Sequence, residues 1–121
     1  MIELKNYSND FFDFILEANN INEPEVGFVD KSRLQMLINQ SNYFKIAFYN
    51  DIPAGFLLCL PENIEYDSMN YVWISERYKN FMYIDRISII KKFQSKKLGT
   101  ALYDDLIKCS KEENYDIILC E

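Results

Sequence analysis

The second half of the chain holds a basic, glycine-containing segment with the layout of a phosphate-binding loop. Lys91, Lys92, Lys96 and Lys97 follow an apolar stretch, and Gly99 opens a region where apolar residues recur at helical spacing. Unpaired N–H groups at a helix N-terminus carry the positive end of the helix dipole, so a pyrophosphate can accept several of their hydrogen bonds. The pattern indicates a phosphate cradle. The alternative is a solvated lysine loop in which Gly99 lets the helix pack closely.

Histidine is absent from the chain. This absence excludes Ser-His-Asp and Cys-His catalysis and argues against a zinc site. A general base must therefore be Asp, Glu, Tyr, a lysine with a lowered pKa, or water. Asp85 is one candidate base because it lies in an apolar stretch, and a structural ion pair with Arg86 or another partner is the alternative. Glu121 is a second candidate carboxylate, and a frayed terminal residue is the alternative.

Four large aromatic residues stand among polar residues between positions 62 and 80, where no clean period is visible. We predict a long loop there, because long aromatic loops in compact domains are usually binding loops or lids. Aromatic faces hold apolar or cationic amines, so these side chains could wall a substrate pocket. The alternative is that they fold onto the core. The four residues are Tyr66, Tyr71, Trp73 and Tyr78.

The first half of the chain predicts two helices and a β-hairpin. Apolar residues recur at helical spacing over 9–18 and again over 30–40, where Asp30 is a suitable N-cap. Alternating residues over 44–49 and an apolar run over 52–60 predict two strands joined by a turn at Asn50 and Asp51. Gly55, inside the second strand, indicates a bulge or a close approach of two backbones.

The second half predicts a βαβ unit. Residues 81–90 are rich in β-branched and aromatic residues, which indicates a central strand. Leu98, Leu102, Leu106 and Cys109 then form one stripe of a helix, and 116–120 is a short buried strand. The two strands should be parallel and joined by a right-handed crossover.

Length and composition predict one domain spanning residues 1–121. The chain has 13 basic and 19 acidic residues, a net charge of -6, which disfavours nucleic acid and anionic membranes as partners. No apolar run reaches membrane-spanning length and no secretory signal is visible, so a cytoplasmic protein is predicted. Cys59, Cys109 and Cys120 lack CxxC spacing and are predicted to be reduced core thiols.

The segment from Gln94 to Gly99 resembles the Q/R-x-x-G-x-G/A pyrophosphate loop of Gcn5-related N-acetyltransferases (GNAT), although Lys97 stands where the first glycine of that pattern would be. The stretches NYFKIAFYNDIPAGFLL, NYVW, FMYIDRISI and LYDDL also fall in the order found in a bacterial branch of predicted acetyltransferases. The resemblance implies an α/β (α+β) acyl-CoA N-acyltransferase fold. Its mixed sheet would have antiparallel N-terminal strands and a splayed parallel pair.

The resemblance also implies acetyl-CoA as co-substrate and direct attack by an amine, without an acyl-enzyme. The backbone of Ile87, Ser88 and Ile89 would pair with the pantetheine arm. Tyr103 is a weaker candidate for protonating the leaving thiolate, beside the carboxylates of Asp85 and Glu121. The phosphates would be held by Gln94, Ser95, Lys96, Lys97, Leu98, Gly99 and Thr100.

The resembling family continues beyond the position of Glu121 with a further helix and strands, so its C-terminal part is expected to be missing here. A sheet that ends on a buried strand leaves an unpaired edge, which predicts a homodimer or a larger assembly. The predicted activity is acetyl transfer from acetyl-CoA to a primary amine, preferably of a small molecule. The alternative is a non-catalytic module that binds acyl-CoA or mediates assembly.

Overall fold

A computed structural model describes residues 1–21 and 27–120 of the chain. Short 3-10 turns at Asn9–Phe11 and Lys91–Phe93 precede the first and last helices. The strands and helices follow one another as β1 (Ile2–Asn6), α1 (Phe12–Ile21), α2 (Lys31–Gln40), β2 (Tyr43–Tyr49), β3 (Ile52–Pro61), α3 (Met69–Arg77), β4 (Phe81–Ile89), α4 (Leu98–Glu112) and β5 (Ile117–Leu119).

One five-stranded sheet runs in the order β1-β2-β3-β4-β5. The first three pairings are antiparallel, and β4 and β5 are parallel. β5 pairs with β4 only at Phe81, Met82 and Tyr83, although β4 continues to Ile89. β5 therefore runs beside only the first three residues of β4, and we call the remainder of that edge the opening between β4 and β5. The predicted mixed sheet, with antiparallel N-terminal strands and a parallel last pair, is confirmed. The opening strand β1 was not predicted.

The β2–β3 hairpin matches its prediction. Asn50 and Asp51 have φ values of 49° and 68°, so both turn residues are left-handed. A two-residue turn of this kind matches the right-handed twist of antiparallel strands, and Asn and Asp tolerate it better than most residues. The hairpin fixes the register that carries β3 to the centre of the sheet.

The sheet contains two bulges. In β3, Ala54 is the extra residue, because Ala47 pairs with Gly55 and Phe48 pairs with Pro53. A Cβ atom added at Gly55 would lie 2.7 Å from the Ser88 carbonyl oxygen, so the backbones of β3 and β4 approach closely there. The bulge and the close approach predicted around Gly55 are thus both present.

The second bulge lies in β4 at Asp85. Leu58 of β3 pairs with Arg86, whereas its neighbour Cys59 pairs with Ile84, so Asp85 is left over. A bulge re-aims the side chains around it. Here it lets Asp85 and Arg86, which are adjacent in sequence, contact each other on one side of the sheet.

Two apolar layers enclose the sheet. One face packs against α1, α2 and α3 through residues that include Ile15, Leu34 and Tyr71. The other face packs against α4 through Leu98, Leu102 and Leu106, which confirms the predicted stripe of that helix. The sheet is therefore a central layer between helices, as an α/β arrangement requires.

The prediction of a continuous loop over 62–80 was wrong, because it contains helix α3. The Ser68 side chain accepts a hydrogen bond from the Tyr71 N–H at 3.4 Å and caps the helix. Tyr71 and Ile74 form its buried face. Exposed apolar residues on the opposite face hid the helical period; they are Met69, Val72 and Trp73.

The other helix predictions need only small adjustments. α1 begins with a 3-10 turn and runs on to Ile21. The Asp30 side chain accepts from the Arg33 N–H at 2.7 Å, which confirms the predicted N-cap of α2. None of the helices in residues 1–21 and 27–120 combines the length and apolar character needed to cross a bilayer.

The last strand is shorter and less covered than predicted. Instead of a buried strand over 116–120, β5 has three residues, all half-buried. Cys120 lies beyond the paired stretch and is exposed, so the prediction of a core thiol was wrong for it. Cys59 is buried as predicted, and Cys109 is half-buried.

Candidate active site at the opening between β4 and β5

The basic loop leads from the end of β4 into the start of α4. Phe93 is only 7% exposed and anchors the loop in the core beneath the sheet. The Gln94 side chain donates to the Ile89 carbonyl oxygen at 3.1 Å and fastens the loop to β4. Lys97 is the N-cap residue of α4 and its side chain makes no capping hydrogen bond. The loop is thus firmly attached, while the start of α4 lacks a side-chain cap from Lys97.

Gly99 lies in the first turn of α4, with open space beside it. A Cβ atom added there would meet no atom within 4 Å among the described residues. The reading in which Gly99 serves close helix packing is therefore wrong. Because the first N–H groups of a helix have no intrahelical partner, this opening leaves room for an anionic group against them.

Most of the predicted phosphate-binding residues are exposed to solvent, but one of them is buried. Leu98 is 1% exposed and packs in the core, so only its backbone faces the loop. Ser95 and Thr100 are exposed. The four lysines of the loop are also exposed, and two lie over aromatic rings: Lys92 over Phe93 at 5.2 Å and Lys96 over Tyr49 at 5.7 Å.

Lys97 adopts a left-handed backbone conformation, with φ of 66°. A side chain costs roughly 1–2 kcal/mol in this conformation, which glycine adopts freely. This backbone conformation explains why the Q/R-x-x-G-x-G/A pattern has a glycine at the position of Lys97. Lys97 retains the loop geometry at some cost, and its side chain is exposed.

The three β4 residues predicted to pair with pantetheine lie next to the opening. Ser88 is 3% exposed, and its hydroxyl donates to the Ala18 carbonyl oxygen at 3.2 Å, so its side chain holds α1. Ile87 and Ile89 are half-buried on the α4 side of the sheet. None of the three is paired with β5 among the described residues.

Asp85 forms a compact polar group with Tyr66 and Arg86, which we call the Asp85 cluster. The Tyr66 hydroxyl donates to Oδ1 of Asp85 at 2.6 Å, and Arg86 Nε donates to Oδ2 at 2.8 Å. The Asp85 and Arg86 side chains are 4% and 9% exposed. The ion pair considered from sequence is therefore present. Burial, followed by the charge of Asp85, raises the pKa of Tyr66 well above its usual value, so this hydroxyl stays a donor.

Arg86 also reaches the end of α1. Its Nη1 donates to Asn19 Oδ1 at 3.0 Å and to the Gly27 carbonyl oxygen at 3.4 Å. Asn19 is 0% exposed and donates to the same carbonyl oxygen at 2.8 Å. Sequence reasoning missed this residue. The one available signal was a pair of amides, Asn19 and Asn20, in the last turn of a helix.

The four predicted pocket aromatics have different surroundings, although the Tyr66 and Tyr71 rings meet edge to face with centroids 5.4 Å apart. Tyr66 contacts Asp85, whereas Tyr71 is 2% exposed and donates its hydroxyl to the Pro61 carbonyl oxygen at 2.6 Å inside the core. Trp73 and Tyr78 are 52% and 39% exposed. Trp73 stacks with Arg77, whose guanidinium lies 4.0 Å from its ring. The core-packing alternative therefore describes Tyr71, and of the four Tyr66 alone donates a hydrogen bond to Asp85 among the described contacts.

Tyr103 lies on α4 and is 39% exposed. Burial raises the pKa of Tyr103, with a smaller electrostatic contribution from Cys120, just beyond the end of β5. The phenol therefore keeps its proton at neutral pH. Glu121, the other predicted catalytic residue, lies outside the described residues.

A second polar group, the Asp105 cluster, lies on the α4 side of the sheet. Asp105 Oδ2 accepts from the Tyr43 hydroxyl at 2.8 Å and from Lys45 Nζ at 3.0 Å. Partial burial opposes the charge on Asp105, but these hydrogen bonds outweigh it and lower the pKa of the carboxyl. Sequence reasoning missed this cluster.

Within residues 1–21 and 27–120, no group of three or more Cys, Asp or Glu side chains is placed to hold a metal ion.

Solved structures share this fold at low identity. Ribosomal-protein-S18-alanine N-acetyltransferase from Escherichia coli matches with a TM-score of 0.75 and 10% identity over 99% of this chain. AAC(6')-Iy bound to the bisubstrate analogue CoA-S-monomethyl-acetylneamine gives 0.71 and 10% over the whole chain. A GNAT family acetyltransferase from Elizabethkingia anophelis with acetyl-CoA bound gives 0.65 and 18% over 98%.

This chain spans 66%, 79% and 63% of those three proteins, respectively. No curated protein matches the sequence. The family model for the acetyltransferase (GNAT) family matches residues 7–121, nearly the whole chain and all the elements that surround the opening between β4 and β5. The chain therefore belongs to the GNAT family of acetyltransferases.

Proposed function

We propose that this protein transfers an acetyl group from acetyl-CoA to the primary amine of a small molecule. The observation that carries the proposal is the opening between β4 and β5, which leads to a glycine-containing helix start beside four exposed lysines. This arrangement suits a long, bent cofactor with a thioester at one end and a pyrophosphate further along. Membership of the family supports the same chemistry.

The residues fit acetyl-CoA. Ser88 pairs with Phe56, and the Ile90 N–H donates to the Ala54 carbonyl oxygen at 2.8 Å, so these β4 residues bond towards β3. Hydrogen bonding alternates along an antiparallel pair, which turns the backbone groups of Ile87 towards the opening. An extended pantetheine arm would therefore add along β4 like a short strand, and the first N–H groups of α4 would receive the pyrophosphate.

The reaction needs a neutral amine, a thioester and two proton transfers. The amine nitrogen forms a C–N bond to the acetyl carbon as the C–S bond breaks, and the amine proton passes to a base while the CoA thiolate gains a proton. Asp85 is our candidate base, acting through water because its own side chain is buried and hydrogen-bonded. Tyr103, a neutral phenol on α4, is our candidate acid.

Tyr66 is the residue we assign to the acceptor side. Its hydroxyl contacts Asp85, and the Arg33 guanidinium lies 4.9 Å from the centre of its ring. One similar enzyme is named for an alanine substrate and another carries an acetylated neamine analogue, so amines of different size suit this fold. We favour a small molecule, and a peptide N-terminus is the second choice.

The binding test is thermal unfolding with acetyl-CoA and with dephospho-CoA. A ligand at 100 times its dissociation constant stabilises the folded state by about 2.7 kcal/mol, so the melting temperature should rise. Gly99→Glu should abolish the rise, because it places a negative charge in the open space at the helix start. Gln35→Glu, the same charge change on exposed α2, is the matched control. No rise in the wild-type protein would contradict the proposal.

A non-catalytic acyl-CoA-binding module is the second candidate. The observations that favour it are the strained Lys97 at the loop and the occupation of both Asp85 oxygens by donors. Both functions predict binding of acetyl-CoA. Release of free CoA on addition of putrescine or of a short peptide with a free N-terminus separates them, since a binding module releases none.

We also propose that the protein forms a homodimer or a larger assembly in the cytoplasm. The half-buried β5 has a partner on its β4 side only, among the described residues, and an open strand edge favours association. Free cysteines agree with a reducing compartment. Light scattering across a concentration series tests the assembly, and a monomer throughout would contradict it.

A further inference from the structure

Asp85 is the inserted residue of the β4 bulge, so strand pairing does not by itself fix the direction of its side chain. Two neighbouring side chains do this instead. Tyr66 holds Oδ1 and Arg86 holds Oδ2, at 2.6 Å and 2.8 Å. The position of the carboxylate therefore depends on where Arg86 and Tyr66 are held.

Arg86 is held from the far side by α1. Its Nη1 donates to Asn19 Oδ1 at 3.0 Å, and Asn19 is completely buried. Because the Asn19 amide nitrogen is engaged by the Gly27 carbonyl oxygen at 2.8 Å, its oxygen stays directed at the guanidinium. A buried arginine with contacts at Nε and at Nη1 has little rotational freedom.

The next residue of α1 provides an informal control within the fold. Asn20 donates to the Val29 carbonyl oxygen and accepts from the Val29 N–H, both at 3.0 Å. Asn19 and Asn20 thus both fasten the segment that leads into α2, and the Asn19 amide nitrogen also donates to Asn20 Oδ1 at 3.1 Å. Of the two, only Asn19 contacts Arg86 among the described hydrogen bonds. The two amides differ in their relation to Asp85.

We propose that Arg86, held by Asn19, is a positioning residue for acetyl transfer that orients the Asp85 carboxylate in the β4 bulge. This inference rests on the proposed function for its consequence in catalysis. The observation behind it is a continuous line of hydrogen bonds from the last turn of α1 through Arg86 to the candidate base. Removing Asn19 should loosen Arg86 and therefore Asp85. Removing Asn20 should do so less, because Asn19 then keeps its contacts with Gly27 and Arg86.

The first test follows the arginine side chains by NMR. The chain has three arginines, Arg33, Arg77 and Arg86, so three Nε–H signals are expected and Arg86→Lys assigns one. In Asn19→Ala, hydrogen exchange at Arg86 Nε should become about tenfold faster, the effect of losing one hydrogen bond to a charged group. In Asn20→Ala the exchange rate should stay within about twofold of the wild type, because Asn19 keeps its contacts with Gly27 and Arg86. Unchanged exchange in Asn19→Ala, or equal acceleration in both variants, would overturn the proposal.

The second test is kinetic, with acetyl-CoA and the probe amines putrescine and a short peptide. Asn19→Ala should lower kcat about tenfold with an unchanged KM for acetyl-CoA, and Asn20→Ala should stay within about twofold of the wild type. In an Asp85→Asn background the Asn19 effect should disappear, because both changes act on the same group. Equal loss in both asparagine variants, or full additivity, would count against positioning.

The two tests also separate this inference from the proposed function. The arginine spectrum needs neither acetyl-CoA nor an acceptor, so it reports on Arg86 even in a protein that binds no cofactor. Absence of binding would refute the acetyltransferase proposal, while a rigid, Asn19-dependent Arg86 would still support the line of contacts. Binding with no Asn19 effect would refute the positioning role alone.

Discussion

The two polar clusters lie on opposite faces of the sheet and use nearly the same chemistry. In the Asp85 cluster a carboxylate accepts from a tyrosine at 2.6 Å and from an arginine at 2.8 Å. In the Asp105 cluster a carboxylate accepts from a tyrosine at 2.8 Å and from a lysine at 3.0 Å. Their surroundings differ. The first ion pair is 4% and 9% exposed, and the second is 22% exposed on both sides.

The difference shows how burial determines what a pair of charges contributes. The partly exposed Asp105 pair keeps more of its hydration, so its loss costs less than the loss of a buried pair. A buried pair depends on the protein for its hydrogen-bond partners, and Arg86 uses Asn19 and Gly27 as well as Asp85. The Asp85 cluster is therefore tied to three parts of the chain, whereas the Asp105 cluster only fastens β2 to α4.

The largest expected effect is on stability. Asp85→Ala leaves the buried Arg86 without its counter-charge and should lower the free energy of unfolding by about 3–5 kcal/mol. Asp105→Ala, on the partly exposed pair, should lower the free energy of unfolding by about 1 kcal/mol. Urea unfolding at pH 7 measures both. Equal losses would remove the distinction between the two clusters.

The next largest expected effect is on the rate of acetyl transfer, which should depend on the Asp85 cluster and not on the Asp105 cluster. Asp85→Asn keeps the shape of the side chain but removes the candidate base, and it should lower the rate of acetyl transfer by about 100-fold. Asp105→Asn should leave the rate within about twofold of the wild type. The assay follows CoA release with acetyl-CoA and the amine probes, at a temperature where both variants are folded. A comparable loss in Asp105→Asn would mean that the distant cluster also matters for turnover.

A smaller effect is expected at the cofactor loop, which belongs to neither cluster. Lys97→Gly should relieve the left-handed strain and raise the free energy of unfolding by about 0.5–1 kcal/mol. Asn114→Gly is the matched control beyond the other end of α4, because Asn114 has a similar φ of 62° but asparagine tolerates it. Lys97→Gly should also tighten acetyl-CoA binding in calorimetry. A loss of stability would show that the lysine contributes something other than strain.

The smallest effect is a pH dependence of the Asp105 cluster. Because the folded-state pKa of Asp105 is lowered, its contribution to stability is present above the unfolded-state pKa of about 3.9 and lost as pH falls through the folded-state value. The stability difference between wild type and Asp105→Asn should therefore be constant from pH 7 to about 5 and shrink below about 4. Urea unfolding across this range measures it. A difference that widened on acidification would contradict the assignment.

Local signals predicted most of the fold. Asn50 and Asp51 between alternating residues specified the hairpin, and the stripe that begins at Leu98 specified α4, because turn geometry and helical spacing involve neighbours in sequence. Helix α3 was not predicted because apolar residues lie on both its buried and its exposed face, which hides the helical period. β1 was not predicted because the alternation of Ile2 and Leu4 with polar residues is short. Its place depends on pairing with β2 and on the packing of these two side chains against the core.

The candidate site was predicted in part. The phosphate loop is one continuous segment, so its spacing was visible, and Asp85 stood out as a charge in an apolar strand. Its partners could not be found in the same way, since Asn19 is 67 positions from Arg86 and Tyr66 is 19 positions from Asp85. Such contacts arise from the bulge and from the packing of α1 on the sheet, which no local pattern encodes.

The close approach at Gly55 has a consequence for the width of the cofactor opening. Any side chain there would press on the Ser88 carbonyl oxygen and on Ile89 from the β3 side. A shift of β4 away from β3 would move it towards the cofactor opening and narrow that opening. The width of the cofactor opening therefore depends on the absence of a side chain at Gly55, on the neighbouring strand β3.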